Sequence, residues 1–264
     1  GTTEGSKEIR TLFSEWDRAD QPQNKIVREY LGDISDDVVL MLGNGASYKE
    51  LTFLMDAPRK LIYSDLSLNA SRRLRSEFDL QGYDDQLITA SIDAESLPFD
   101  DESVDVVYAY AMVHHLPNLD LFFAEVHRVL RPGGKAVFMD DAHSAPWAWA
   151  KFGPLKRLMR YSHSSSGISP EDYRFSMSGG FKEPELAKQI KRVGGEPFFQ
   201  RTSFANYILC RGSEKCLPKK VSKWVCRGFP ARAAQYLDRL GARANFYRDW
   251  QIRLVWGFVK PKIT

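Results

Sequence analysis

Val38-Val39-Leu40-Met41-Leu42-Gly43-Asn44-Gly45 is the stretch that decides the fold. Five apolar residues, two of them β-branched and none alternating with a polar one, suit a short strand buried on both faces. Gly43 and Gly45 end it and allow backbone to approach a ligand with no side chain in the way. Downstream the pattern repeats. Lys49–Met55 can form a helix, Lys60–Ser64 a second strand, Leu68–Phe78 a second helix, Gln86–Ala90 a third strand and Val104–Ala109 a fourth. Leu119–Leu130 carries an apolar stripe at Leu119, Phe122, Phe123, Val126, Val129 and Leu130, the spacing of a helix packed on one side. Arg131-Pro132-Gly133-Gly134 is expected to end that helix by a reversal, with Ala136–Asp140 as the fifth strand. Strands separated by helix-length segments imply parallel pairing with right-handed crossovers, hence an α/β, doubly wound, mostly parallel sheet.

Outside this block the signals are looser. Glu4–Leu31 reads as one or two amphipathic helices punctuated by Pro22. Asp141–Gly180 holds Pro146, Pro154, Pro170 and a Ser/Gly-rich patch, expected as loop with short helices. Phe181–Val193 reads as a helix, Pro197–Cys210 as a strand interrupted near Ser203–Ala205, Phe229–Leu240 as an amphipathic helix and Gln251–Val259 as a last strand. The expected organisation is an N-terminal helical segment over 1–35, a core formed by 36–211 and 250–264, and insertions at 141–180 and 212–249.

The chain has 264 residues, 43% hydrophobic and 27% charged, which excludes disorder, collagen and a disulfide-stapled miniprotein. Its longest apolar runs fall far short of the roughly 20 residues of a membrane span, and no leading segment has the order of a secretory signal. Cys210, Cys216 and Cys226 lack C-x-x-C spacing and a nearby His, so they read as free thiols rather than zinc ligands. These features together point to a cytoplasmic protein. From Gly212 to Thr264 twelve Lys/Arg stand against three acids, a local charge of +9 in a chain of net +3. The rest therefore carries −6. The asymmetry suits either an anionic partner or a solvated basic face.

In an open parallel sheet ligands sit beyond the carboxyl ends of the strands, near the point where strand order reverses. Those ends offer Gly43–Ser47, Asp65–Ser67, Asp93–Glu95, Ala109–His115 and Asp140–Ser144. Asp65 lies 22 residues after Gly43, the separation expected of an acid that grips vicinal ribose hydroxyls. Tyr48 stands where a dinucleotide fingerprint needs its third Gly, and no G-x-x-x-x-G-K-[ST] occurs. The ligand read here is a nucleoside with no phosphate cradle.

Val39-Leu40-Met41-Leu42-Gly43-Asn44-Gly45 resembles the first motif of class I S-adenosylmethionine-dependent methyltransferases, and Ser64-Asp65-Leu66-Ser67 their second. Ser91–Asp100 with Val104–Val107 resembles the third and fourth. His114-His115-Leu116 and Glu125–Gly134 resemble the remainder, in the form common among ubiquinone/menaquinone-type enzymes, methyltransferase type 11-like. The likeness runs over about 36–141 and implies a Rossmann-like seven-stranded sheet with helical lid insertions. It also implies S-adenosyl-L-methionine as cofactor. Gly43, Asn44 and Gly45 would pass under its methionine part, and Asp65 would take the ribose hydroxyls. Leu66 would lie against the adenine, with Asp93 accepting from its amino group and the Ala94 amide facing the ring. Ala109 and Tyr110 would line the floor near the sulfonium. Two positions depart from the pattern: Met41 replaces a usual acid, and Ser47 a frequent glycine.

The chemistry expected is transfer of a methyl group to an oxygen or nitrogen of a small-molecule acceptor, anionic or lipid-linked. A hydroxyl acceptor benefits from a general base, whereas an amine needs only to be unprotonated. His143, beside Asp140 and Asp141, and His115, after the fourth strand, are the candidate bases. The Asp-Asp-x-His cluster could instead ligate a divalent cation or simply satisfy a loop turn, and no metal is assigned. Trp147, Trp149, Phe152, Tyr161 and Tyr173 would wall an acceptor lid or core it. The basic C-terminal segment leaves membrane-surface contact as a second reading and nucleic acid as the last, since no RNA-binding signature accompanies it. A non-catalytic member of the fold is the alternative that Met41 raises.

Overall fold

A computed structural model of the chain describes residues 21–43, 45, 49–77, 83–141, 180–202, 205, 209, 213, 217–241, 251 and 253–262. Their elements are α1 (Gln21–Leu31), β1 (Val38–Leu42), a 3₁₀ helix (Lys49–Asp56), β2 (Lys60–Asp65), α2 (Leu68–Glu77), β3 (Leu87–Ser91) and β4 (Val104–Tyr110). A 3₁₀ turn (Val113–His115), α3 (Leu119–Val129), β5 (Leu130–Asp141), α4 (Glu183–Arg192), β6 (Glu196–Thr202), α5 (Lys219–Arg227), α6 (Phe229–Gly241) and β7 (Arg253–Val259) follow. The strands form one seven-stranded sheet in the order β3-β2-β1-β4-β5-β7-β6. β1 pairs in parallel with β2 and β4, β2 with β3, and β4 with β5.

β1 is the central strand because its sequence can be buried on both sides. Val39 to Leu42 are all buried, and Met41 registers against Tyr63 of β2 and Tyr108 of β4. α3 forms where the apolar stripe requires it. Asn118 caps its N-terminus by accepting from the amides of Asp120 and Leu121, and Phe122, Phe123, Val126 and Val129 are its buried face. Phe122 and Phe123 meet Phe138 of β5 and Trp256 of β7 in one aromatic cluster, with ring centroids 4.7–5.9 Å apart.

Two expectations change. Residues 131–134 belong to β5 rather than preceding it: Leu130 is already extended, β5 begins there, and its register against β4 shifts between Val104 and Val106. The Gly133 amide donates to the Lys260 carbonyl, and the Lys260 amide returns a bond to Gly134. The start of β5 thus meets the end of β7, which runs antiparallel, a pairing that no local pattern announces. The 49–56 segment is 3₁₀ rather than α, and it stops at Ala57 (φ +47°) before Pro58. Pro22 falls in the first turn of α1, where its missing N–H is harmless, and the part of the expected N-terminal helices before Gln21 lies outside the described residues. The Lys135 ammonium holds the other end of α1 by donating to the Tyr30 and Leu31 carbonyls.

The chain divides into two compact units, one of 1–139, 184–198 and 256–264, the other of 140–183 and 199–255. In the second, α5 and α6 pack together. Buried Asp238 accepts from the Ala205 amide, and its carbonyl accepts from Gln251 Nε2. The Arg201 guanidinium donates to Glu183 at 2.6 Å. Cys226 is a free thiol, and Cys210 and Cys216 lie outside the described residues.

Candidate cofactor site

The order of the first five strands reverses between β1 and β4, and a cavity of about 600 Å³ opens at their carboxyl ends. Among the described residues it is lined by the last residues of β2 and β4 and by the loops that leave β1, β2, β3 and β4. After β1 come Gly43 and Gly45, both at positive φ (+65° and +54°). A Cβ at Gly43 would stand 2.0 Å from Met112 Cγ, so the residue at the tip of β1 must be glycine for the loop after β4 to close over it.

Asp65 ends β2. Its carboxylate accepts from the Gly45 amide at 2.6 Å and from the Ser67 amide at 2.8 Å, which ties the first loop to the second. Each oxygen has used one lone pair, so both retain capacity to accept from a ligand hydroxyl. Leu66 follows with 73% of its surface exposed, an apolar face on the cavity wall. The third loop supplies Ile92, Asp93, Ala94 and Glu95. Asp93 accepts from the Glu95 amide through Oδ1, and Glu95 accepts from the Asn118 amide at the start of α3. The fourth supplies Tyr110, Ala111, Met112, His115, Leu116 and Pro117.

Of the residues singled out in the sequence, Gly43, Gly45, Asp65, Leu66, Asp93, Ala94, Tyr110 and His115 line this one cavity. Ala109 does not: it is fully buried in β4, registered against Leu42 and Phe138, and Ala111 takes the wall two residues later. Ala111 reaches it at φ +49°, and its amide donates to the Met139 carbonyl. Met41 is fully buried in the sheet and is not on the wall. Asn44, Ser47, His143 and the lid aromatics Trp147, Trp149, Phe152, Tyr161 and Tyr173 lie outside the described residues. Asp140 is buried. The rings of His114 and His115 lie 4.1 Å apart.

One residue that positions the site escaped the sequence reading. Arg128 of α3 donates through Nε and Nη2 to Glu125, through Nη2 and Nη1 to the Leu97 and Phe99 carbonyls, and through Nη1 to Asp101. Glu125 in turn accepts from the Leu97 amide. This hub staples the chain after Asp93–Glu95 to α3. It holds the Glu125 carboxyl below its ordinary range and raises the Arg128 guanidinium further. The Glu125-x-x-Arg128 spacing was the available signal.

Comparison with known proteins agrees with the geometry. Residues 40–138 match the family described as "Methyltransferase domain". The phthiotriol/phenolphthiotriol dimycocerosates methyltransferase of Mycobacterium tuberculosis is 40% identical over 178 residues, 63% of this chain and 61% of that protein. The sterol 4-C-methyltransferase of Caenorhabditis elegans is 32% identical over 87 residues, 33% of this chain and 26% of its own length. The chain thus spans less than two thirds of either curated relative. Geranyl diphosphate C-methyltransferase from Streptomyces coelicolor, solved with Mg²⁺, geranyl diphosphate and S-adenosyl-L-homocysteine, superposes with a TM-score of 0.58 at 15% identity. That superposition covers 96% of this chain and 81% of that one, a likeness of fold. Motif order, sheet order and family match agree on one likeness: residues 40–138 match the methyltransferase domain family, on a sheet whose strand order is that of the solved neighbours' fold class.

Proposed function

We propose that this chain transfers a methyl group from S-adenosylmethionine to an oxygen or nitrogen of a small, lipid-type acceptor. The observation that carries the reading is the convergence of two glycines, two aspartates and an exposed leucine from three successive strand ends on one cavity. The residues present suit the cofactor. Gly43 and Gly45 let backbone pass under its methionine part, and Asp65 keeps acceptor capacity for the ribose hydroxyls. Leu66 and Ile92 offer apolar surface to the adenine, and Asp93 an acceptor for its amino group.

When bound, S-adenosylmethionine supplies an electrophilic methyl on a sulfonium. The protein's task is then to align an acceptor lone pair at roughly 3–3.5 Å from that methyl and to exclude water. Tyr110, the last residue of β4, and Met112 line the cavity wall, and His115, on the same wall, is the group that takes a hydroxyl acceptor's proton as the new bond forms. Met41 offers no charge to the methionine ammonium, so that end depends on backbone carbonyls and on other side chains.

Support for a lipid-type acceptor comes from the relatives' names, one of which acts on a sterol. Carbon as the accepting atom is the second reading, because two of the three proteins compared are named C-methyltransferases. The test is incubation with methyl-labelled S-adenosylmethionine and panels of phenolic, aminated and sterol acceptors. Label should appear in an O- or N-methyl product, and where the acceptor is a hydroxyl His115→Ala should slow its formation by about 10²-fold or more. Label found only in C-methyl product favours the second reading, and no transfer with any acceptor class contradicts the proposal.

A further inference from the structure

The second compact unit carries a surface that methyl transfer does not explain. α6 is apolar on its outer side. At 100° per residue, Phe229, Tyr236 and Leu240 fall within an arc of about 40°, and they are 79%, 62% and 52% exposed. On the opposite side of the helix the buried residues among those described are Ala231, Ala234 and Asp238. α5 repeats the arrangement. Ser222 and Val225 are buried, whereas Trp224 is 62% exposed with Val221 and Lys220 beside it. The two helices meet at Gly228, whose amide donates to the Trp224 carbonyl, so the exposed aromatics Trp224 and Phe229 sit at one corner.

The charge of this hairpin is one-sided. From Leu217 to Leu237 the sequence has Lys219, Lys220, Lys223, Arg227 and Arg232 and not one acid. Asp238, the next carboxylate, is buried and bound to the Ala205 amide. Exposed Trp, Phe, Tyr and Leu in a stretch of sequence with cations and no acid are the composition of a helix that lies in the interfacial plane of a bilayer. Aromatic side chains there insert at headgroup depth, and each nearby cation strengthens attachment to an anionic leaflet. A second copy of this chain is the poorer occupant, because it would set the exposed cations Lys219, Lys220 and Arg232 of one copy near those of the other.

We propose that the α5–α6 hairpin is a membrane-docking element that inserts Trp224, Phe229 and Tyr236 into the interface of an anionic bilayer. It stands on the second unit alone and needs neither cofactor nor acceptor, so its failure leaves the catalytic reading intact. Docking would place the protein on the surface where a lipid acceptor resides.

The test is co-flotation of the full-length chain with vesicles of pure phosphatidylcholine and of phosphatidylcholine containing phosphatidylserine. The chain should float with the anionic vesicles and much less with the neutral ones, and should be released in about 1 M salt, where screening acts within roughly 3 Å. Lys219→Glu with Lys220→Glu leaves the apolar stripe intact and should weaken partitioning by at least about 25-fold, at roughly fivefold for each cation removed. Trp224→Ser with Phe229→Ser should weaken it at least about tenfold. Both variants should keep wild-type circular dichroism and S-adenosylhomocysteine affinity. Equal flotation of wild type and both variants, or no flotation of a folded wild type, overturns the proposal. So does a wild-type mass in light scattering that is a dimer's and becomes a monomer's in the serine variant, since the stripe is then a subunit contact.

Discussion

Gly43→Ala probes the joint on which the cavity depends. The substitution acts twice. It forces a side chain into φ +65°, at about 1–2 kcal/mol for a non-glycine residue. It also drives a Cβ to 2.0 Å from Met112 Cγ and 2.8 Å from Met112 Cβ, and overpacking of that kind costs about 1–3 kcal/mol. Together these amount to about 2–5 kcal/mol, or a drop in Tm of roughly 5–15 °C for a chain of this size. Urea unfolding of wild type, Gly43→Ala, Met112→Ala and the double variant makes a cycle that separates the two contributions. Met112→Ala removes Cγ and Sδ, so the double variant should be more stable than the sum of the single effects by about 1–3 kcal/mol. The residual loss is the backbone strain and the Cβ contact. A Gly43→Ala protein within about 0.5 kcal/mol of wild type, or a strictly additive cycle, would refute the close approach between the β1 and β4 loops.

Two other perturbations follow from the same architecture. Glu125→Gln removes the charge from the hub that ties Leu97 to α3, and should cost about 1–2 kcal/mol in urea titrations at neutral pH. Because Arg128 and the Leu97 amide lower the folded-state pKa of Glu125, its contribution is complete above the unfolded value near pH 4.3 and disappears as pH falls through the lower folded one. The acid limb of the stability profile should therefore be flatter in Glu125→Gln, and an unchanged slope would count against the hub. Asp105→Asn loses a paired carboxylate that accepts from Arg131 at 2.8 Å and from the Val38 amide at 2.8 Å. It should lower stability by about 1–3 kcal/mol while leaving S-adenosylhomocysteine affinity within about twofold, as read by thermal denaturation and calorimetry. A weakened affinity with unchanged stability would contradict the structural role.

Much of the fold and part of the site were legible because local chemistry and tertiary context agree there. The run Val38–Leu42 can be buried on both faces only at the centre of a covered sheet, and that is where it lies. The stripe of α3 reads directly as the buried face Phe122, Phe123, Val126 and Val129. Gly43, Asp65 and Asp93 follow strands, and strand ends share one edge of a parallel sheet, so their meeting could be argued before any coordinate. What stayed hidden depends on distant partners. β5 begins at Leu130 because β7, more than a hundred residues later, pairs with Gly133 and Gly134. Ala109 is inside because β4 ends one residue late and the chain turns at Ala111, a left-handed alanine that no propensity foretells. α5 was missed because Lys219–Arg227 turns Val221 and Trp224 outward and buries Val225 beside Ser222, too narrow an apolar face to signal a packed helix.

The most direct test of the account is calorimetric titration with S-adenosylhomocysteine of the wild-type chain and of Asp65→Ala, both checked for fold by circular dichroism. One site per chain is expected, with Asp65→Ala weaker by at least about tenfold, since a carboxylate hydrogen-bonding ligand hydroxyls contributes about 1.5–3 kcal/mol. A folded wild type that fails to bind at about millimolar ligand, near −4 kcal/mol, or an Asp65→Ala protein that binds as tightly as wild type, would contradict an adenosyl ligand seated at these strand ends.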